Sequence, residues 1–432
     1  MPEYKVVNAT QLDSDMESLA DSIRAKAGVT EKLAFPAGMK AAVDGIQTGS
    51  DPVIQPLSVT ANGTYTAPEG VDGYSPVTVN VPSSGGGGSL PSVSPKEVNF
   101  YDYDGTVLYA YTVEDAAALT ELPALPEHDG LICQGWNWTL DEVKSVYKYG
   151  DVGAIYTTYD GKTRIYITLT KGRTSPMLGC CPNGTVTVDW GDGTEPDVLT
   201  GTSETSVKWT PTHEYAAPGD YTITLTVDGT MGIYGDTASN SFSGLLRESS
   251  NADVRNRAYL ASIKKIEIGD NVTQLCGGAF YYTVAAKSIT LSKDVKIIGA
   301  RAFSNSRVNC IVIPRNFMTN GDYIFASGSS IKKIVFPYEG SLNHTHIFYY
   351  CSGITELRIP KGAANITKGT FNNCAGLRYL YFTDHEFVPS LTLTDTFDQT
   401  ASDLYICIPA ALVEEWKAAT NWSSIASKIM GA

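Results

Sequence analysis

The sequence predicts a mainly β, multidomain chain that begins with short helices, continues through small β modules and ends in a solenoid. Three observations predict this. Phe280, Phe303, Phe325, Phe348, Phe371 and Phe397 follow one another at spacings of 23, 22, 23, 23 and 26 residues. Ile268, Leu291, Ile313, Phe336, Ile359 and Phe382 close short strand-like stretches at spacings of 23, 22, 23, 23 and 23. A fixed period of this size marks stacked units that bury their apolar faces only against each other. Finally, Ser83–Ser89 reads SSGGGGS, a flexible linker that divides the chain.

Residues 1–49 are expected to form two short helices that attach the chain to a partner or to other copies. Thr10 and Asp13 make a start like a capping box, with Asp in place of Glu or Gln. Leu12, Met16, Leu19, Ile23 and Ala27 form a helical stripe that ends at Gly28. Pro36 opens the second helix, with Met39, Val43 and Ile46 on one side. The run Leu19–Gly28 with Lys32–Met39 and Gly45–Ile46 resembles a segment recurring in tail proteins of phages of Gram-positive bacteria. Residues 50–82 read as a small β module: strand, Asn62–Gly63 turn, strand, loop, strand. Ala61–Val81 resembles a phage structural-protein motif. After the linker of 83–95, residues 96–148 form a small module. There Val98–Tyr111 alternates around an Asp104–Gly105 hairpin turn and Gly135-Trp136-Asn137-Trp138 follows. This order is loosely similar to InlB-type β-grasp repeats.

Residues 149–230 carry Val188-Asp189-Trp190-Gly191-Asp192-Gly193-Thr194, then His213-Glu214-Tyr215, then Gly219-Asp220-Tyr221 leading into an alternating strand to Val227. The set resembles PKD domains, which implies an immunoglobulin-like β-sandwich with Trp190 as core plug and a tight turn at Asp192–Gly193. Residues 231–257 are expected to connect to the repeats at 258–408. Leu357 and Ile359 alternate with charged residues, Pro360 ends the strand, and Phe371 returns to the core. Cys351 and Cys374 sit three residues after their phenylalanines, where other repeats have Thr283, Ser306 and Gly328. Ser288–Leu291 with Val295–Phe303 completes a pattern that resembles BspA-type leucine-rich repeats. Residues 409–432 resemble that family's helical cap, with Leu412, Trp416 and Ala419 on one face.

Net charge is −14 with a pI near 4.8, so nucleic acid is not expected as a partner. No run of 18 apolar residues occurs, and no membrane insertion is expected. The first residues lack a basic region followed by an apolar stretch, which reads as absence of a secretory signal. The eight cysteines show no zinc spacing and are expected to be free thiols, with Cys276, Cys310, Cys351, Cys374 and Cys407 inside the repeats.

No nucleophile elbow, HExxH or P-loop occurs. No catalytic residue, metal or cofactor is therefore expected. Asp189 and Asp192 are read as turn carboxylates, since calcium takes six or more oxygens. His344 and His346, with His385, are read as surface residues rather than a metal set. Tyr281, Tyr282, Tyr349 and Tyr350 follow repeat phenylalanines, and one ring of each pair is expected to face outward. Burial between repeats is the competing reading. With His344 and His346 these tyrosines are the candidate receptor-binding residues. The resemblances imply a tail fibre of a phage or prophage, located in the virion, that adheres to a bacterial surface glycan or protein through its repeats. Residues 1–49 would contact other tail or baseplate proteins, and a homotrimer is favoured by the resemblance. A structural virion component without a receptor is the alternative; a wall- or capsule-degrading enzyme is a further one.

Overall fold

The computed structural model describes residues 63–65, 77–79, 94–235, 244–248, 253–392 and 395–432. The chain divides into Met1–Leu90 and Pro91–Ala432. In the first unit, strand β1 (Gly63–Tyr65) pairs antiparallel with β2 (Val77–Val79), Gly63 opposite Val79. Gly63 thus lies within a strand rather than at a turn. The expected N-terminal helices, the strand before Asn62 and most of the linker lie outside the described residues.

The second unit opens with a four-stranded sheet. Its strands are β3 (Val98–Tyr101), β4 (Val107–Tyr111), β5 (Leu131–Trp136) and β6 (Gly150–Thr158), in the order β4-β3-β6-β5. The Asp104–Gly105 turn forms as the sequence predicts, with Gly105 at φ +95°. Helix α1 (Val113–Ala117) is capped by Thr112. Helix α2 (Leu140–Lys144) has a full capping box between Thr139 and Glu142. The expected boundary at 149 is displaced. Residues 150–158 pair parallel with β3 and antiparallel with β5, and so join the hairpin β3–β4 and strand β5 in one sheet.

Strands β7 (Thr163–Leu169), β8 (Pro176–Asp189), β9 (Asp197–Thr202), β10 (Lys208–Trp209), β11 (Gly219–Ile233) and β12 (Leu246–Glu248) follow. The first half of β8 pairs with β10 and β12, and its second half with β9 and β11. Trp190 is buried at 1% exposure, stacks on His213 at 4.5 Å and meets Tyr215 edge-on at 6.2 Å.

Residues 231–257 are not a simple connector. Met231–Ile233 extend β11 and pair parallel with β14 (Val272–Leu275), and helix α3 (Asp253–Ser262) leads into β13 (Ile263–Glu267). Strand β13 pairs with β7. Two strands of the preceding domain thereby cover the open edges of the first repeat, which would otherwise expose unpaired backbone groups.

The repeats supply β15 (Ile289–Thr290), β16 (Ile297–Gly299), β17 (Cys310–Val312), β18 (Met318–Asn320), β19 (Lys333–Val335), β20 (Glu356–Arg358), β21 (Asn365–Ile366), β22 (Tyr379–Tyr381), β23 (Ser390–Leu391) and β24 (Tyr405–Ile408). All their mutual pairings are parallel. The six phenylalanines form one internal stack with successive ring centroids 5.5, 5.5, 5.6, 5.5 and 5.6 Å apart. The first five are at most 1% exposed and Phe397 is half-buried. Cys351 and Cys374 donate to the carbonyls of Phe325 and Phe348, each at 3.0 Å, which explains a small donor at that position.

After Pro409 a 3₁₀ turn leads into α4 (Val413–Ala418), and Trp416 and Trp422 pack on Phe382 at 5.1 and 5.9 Å. The chain does not stay helical to its end. Strand β25 (Ile429–Gly431) pairs with β24 and covers its edge. All eight cysteines are free thiols.

The four-stranded module lies against the strand face of the repeats, a long-range arrangement absent from the sequence reading. Tyr101 and Ile155 join Cys310, Val312 and Val335 in one apolar cluster. Gly153 permits the approach, since a Cβ there would lie 2.3 Å from Val312 Cγ1. The contact is also keyed by polar groups. Asn137 Nδ2 donates to Ile313 O at 3.0 Å, Trp138 Nε1 to Phe336 O at 2.9 Å, and Arg315 grips both oxygens of Glu142. Lys333 sits between Asp151 at 3.2 Å and Glu356 at 2.7 Å. Burial opposes its charge, but Asp151, Tyr101 and Glu356 outweigh burial and push the ammonium pKa up.

Candidate functional site on the repeat ridge

Each repeat phenylalanine is flanked, two residues before and two after, by a left-handed residue. The preceding positions are Gly278, Arg301, Tyr323, His346, Gly369 and Asp395, with φ from +51° to +68°. The following positions are Tyr282, Asn305, Ser327, Tyr350, Asn373 and Gln399, with φ from +54° to +60°. The two corners turn the chain inward for the ring and out again. Backbone bonds from turn to turn fix them, as in Tyr323 N to Thr345 O at 3.1 Å and His346 N to Lys368 O at 3.0 Å. Glycine and asparagine tolerate this conformation. Arg, Tyr and His in it are uncommon and carry a steric cost.

Three such bulky residues stand in one column. The Arg301 guanidinium lies 5.1 Å over the Tyr323 ring, and Tyr323 stacks on His346 at 4.6 Å with planes 10° apart. His346 leans over Gly369, where a Cβ would lie 2.3 Å from its Cδ2. Tyr349 meets Tyr323 and His346 edge-on at 5.9 and 5.4 Å, and Tyr350 at 4.5 Å. Desolvation, then neighbouring Tyr350, pushes the Tyr349 phenol pKa up. The ring faces of the column are occupied by one another, so edges and polar tips are what it presents outward. Tyr350 is 46% exposed.

The candidate residues separate. His346, Tyr349 and Tyr350 come together. Tyr281 is buried at 7% exposure and Tyr282 is half-buried under the Arg257 guanidinium, so neither ring of the first pair is freely outward. His344 turns aside, its Nε2 3.0 Å from Thr319 O. His385 is buried at 2% exposure. Arg301 and Tyr323 were missed, although successive spacings of 22 and 23 residues from Arg301 through Tyr323 to His346 place all three at one repeat position.

Elsewhere, Asp189 accepts from Gly191 N, and Asp192 accepts from Thr194 N and meets His213 Nε2 at 2.9 Å, so both carboxylates serve the turn. Among the described residues no three His, Cys, Asp or Glu side chains converge as a metal set would require. The exposed thiol of Cys133 is pushed up, mainly by desolvation, the opposite of what an activated nucleophile needs. No described helix is long and apolar enough to cross a membrane.

Residues 256–378 match the BspA type leucine rich repeat region, in six copies. The C-terminal repeats are thus of this type, and the phenylalanine stack continues it through Phe397. The crystal structure of a leucine-rich repeat protein from Bacteroides ovatus is similar at 17% identity. The match covers 42% of this chain and 70% of that one, with a TM-score of 0.22. No curated protein matches the chain.

Proposed function

We propose that the chain is a non-enzymatic adhesin of a phage or prophage tail, and that its repeats hold a bacterial surface receptor. The observation that carries the reading is the column of Arg301, Tyr323 and His346 in left-handed backbone. Bulky side chains kept in a costly conformation, when glycine fills the same position at 278 and 369, point to a role beyond folding. Tyrosine, arginine and histidine edges offer the amphipathic contacts that dominate recognition surfaces. In this reading strands β7 to β11 are a PKD-type spacer and residues 409–432 a terminal cap. Residues 1–49, by their resemblance to tail-protein segments, attach the chain to the tail as a homotrimer, which light scattering on the full chain checks.

The test separates binding from folding. Tyr323→Gly and His346→Gly remove the rings while relieving the backbone, so each should leave the melt unchanged or raise it, by up to about 1 kcal/mol. Adsorption to host cells should fall together with Tyr350→Ala. A lowered melt would assign these rings to the core, and unchanged adsorption with an intact melt would remove the ridge from the site.

A further inference from the structure

We propose that a trough at another corner of the solenoid binds a neutral saccharide, a site that rests on the adhesin reading and gives it a ligand class. This corner lies a few residues after the repeat strands β17, β19, β20 and β22. Two turns carry bulk, Phe317-Met318 and Glu386-Phe387. The two turns between them carry Gly340-Ser341 and Gly362-Ala363-Ala364. The loss of side chains over two turns leaves a depression of about 540 Å³ between the bulky ones, within the range of ligand sites. Its floor is apolar, because the Phe317 ring fills the space where a Gly340 Cβ would stand, 2.5 Å from Phe317 Cε1. At Gly362, φ +96°, a Cβ would have only the Gly340 carbonyl oxygen near it, at 3.7 Å. The rims are Met318, 58% exposed, and Phe387, 41% exposed.

The charges select the ligand. Lys361 Nζ pairs with Glu386 Oε1 at 2.7 Å, and Glu339 adds a further exposed carboxylate. Two carboxylates against one ammonium leave the trough negative, which disfavours phosphate, sulfate and uronate. Carboxylates accept from hydroxyl groups and an ammonium donates to them, both with charge assistance. An exposed ring such as Phe387 suits the C–H face of a pyranose. An extended peptide would need a free sheet edge, and this floor offers none. Gly340 N already donates to Lys361 O at 3.1 Å, and Lys361 N to Tyr338 O at 2.9 Å.

The probes are chitotetraose, cellotetraose and maltotetraose, with a hyaluronan tetrasaccharide as the anionic control. Saturation-transfer NMR on the full chain should show contact with at least one neutral probe and none with the control. Phe387→Ala and Glu339→Gln, both at exposed positions, should each weaken that contact by about tenfold. Tyr350→Ala on the ridge should not change it. Silence from all three neutral probes overturns the proposal, as does contact that survives both trough variants. Host-cell adsorption separates the two readings: probe binding without adsorption removes the adhesin and leaves the trough, whereas adsorption without probe binding does the reverse.

Discussion

Phe371→Ala tests the internal stack most directly. The ring is fully buried, with Phe348 at 5.5 Å on one side and Phe397 at 5.6 Å on the other. Truncating a buried phenylalanine costs about 3–5 kcal/mol, the spread reflecting how far the site collapses. Collapse is restricted here. Phe348 N donates to Thr370 O and Phe371 N to Thr396 O, both at 3.0 Å, so neither neighbouring turn can slide without losing ladder bonds. The upper half of the range is expected, about 4 kcal/mol. Phe397→Ala removes a half-buried ring at the end of the stack and should cost about 2 kcal/mol. Guanidinium unfolding, read by hydrogen exchange of individual peptides, measures both. Because each turn contacts only its neighbours, the Phe371 loss should concentrate in residues flanking 348–397. A cost under about 1 kcal/mol, or equal costs for the two variants, would show that the stack does not organise the repeats.

Two further outcomes are expected. Lys333→Met leaves Asp151, 2% exposed, without its buried counter-charge and should cost about 3–5 kcal/mol in a thermal or denaturant melt. Adding Asp151→Asn should recover part of that loss, and no recovery would mean that the pair does not hold the module in place. Burial, then the neighbouring Arg358 charge, pushes the His385 imidazole down to about 4. The unfolded chain therefore takes up this proton first, and stability is lost as pH falls from about 6.5 to about 4, by about 3 kcal/mol in all. His385→Gln should flatten that part of a stability-versus-pH curve, and an unchanged slope would assign the acid sensitivity to other groups.

The repeats were legible because one buried ring per turn writes its period directly into the sequence. Trp190 and the Asp192–Gly193 turn were legible for a related reason, since tight turns and core plugs need particular residues. The docking of the 94–158 module was not. Its contacts join Asn137 to the Ile313 carbonyl and Lys333 to Asp151 across more than 170 residues, and Asn137, Asp151 and Lys333 each read locally as an ordinary surface polar group. Strand β6 was missed because its run through Gly150, Asp151 and Gly153 does not alternate. Both of its faces are buried, one under its own helices and one against the repeats. The ridge was half legible: the tyrosine pairs after Phe280 and Phe348 stood out, but Arg301, Tyr323 and His346 differ in type and share only a repeat position and a conformation.

The strands shared between β7, β11 and the first repeat bear on how the molecule would carry load. A linker between two domains bends under tension and transmits little torque. Here β11 runs unbroken from Gly219 to Ile233 and its last three residues pair with β14, while β7 is bonded along its length to β11 and over Arg164–Ile167 to β13. Tension along these strands would strain many backbone bonds at once, in shear, rather than opening them one by one. A pull on the repeats would therefore reach the preceding domain as through a single stiff rod.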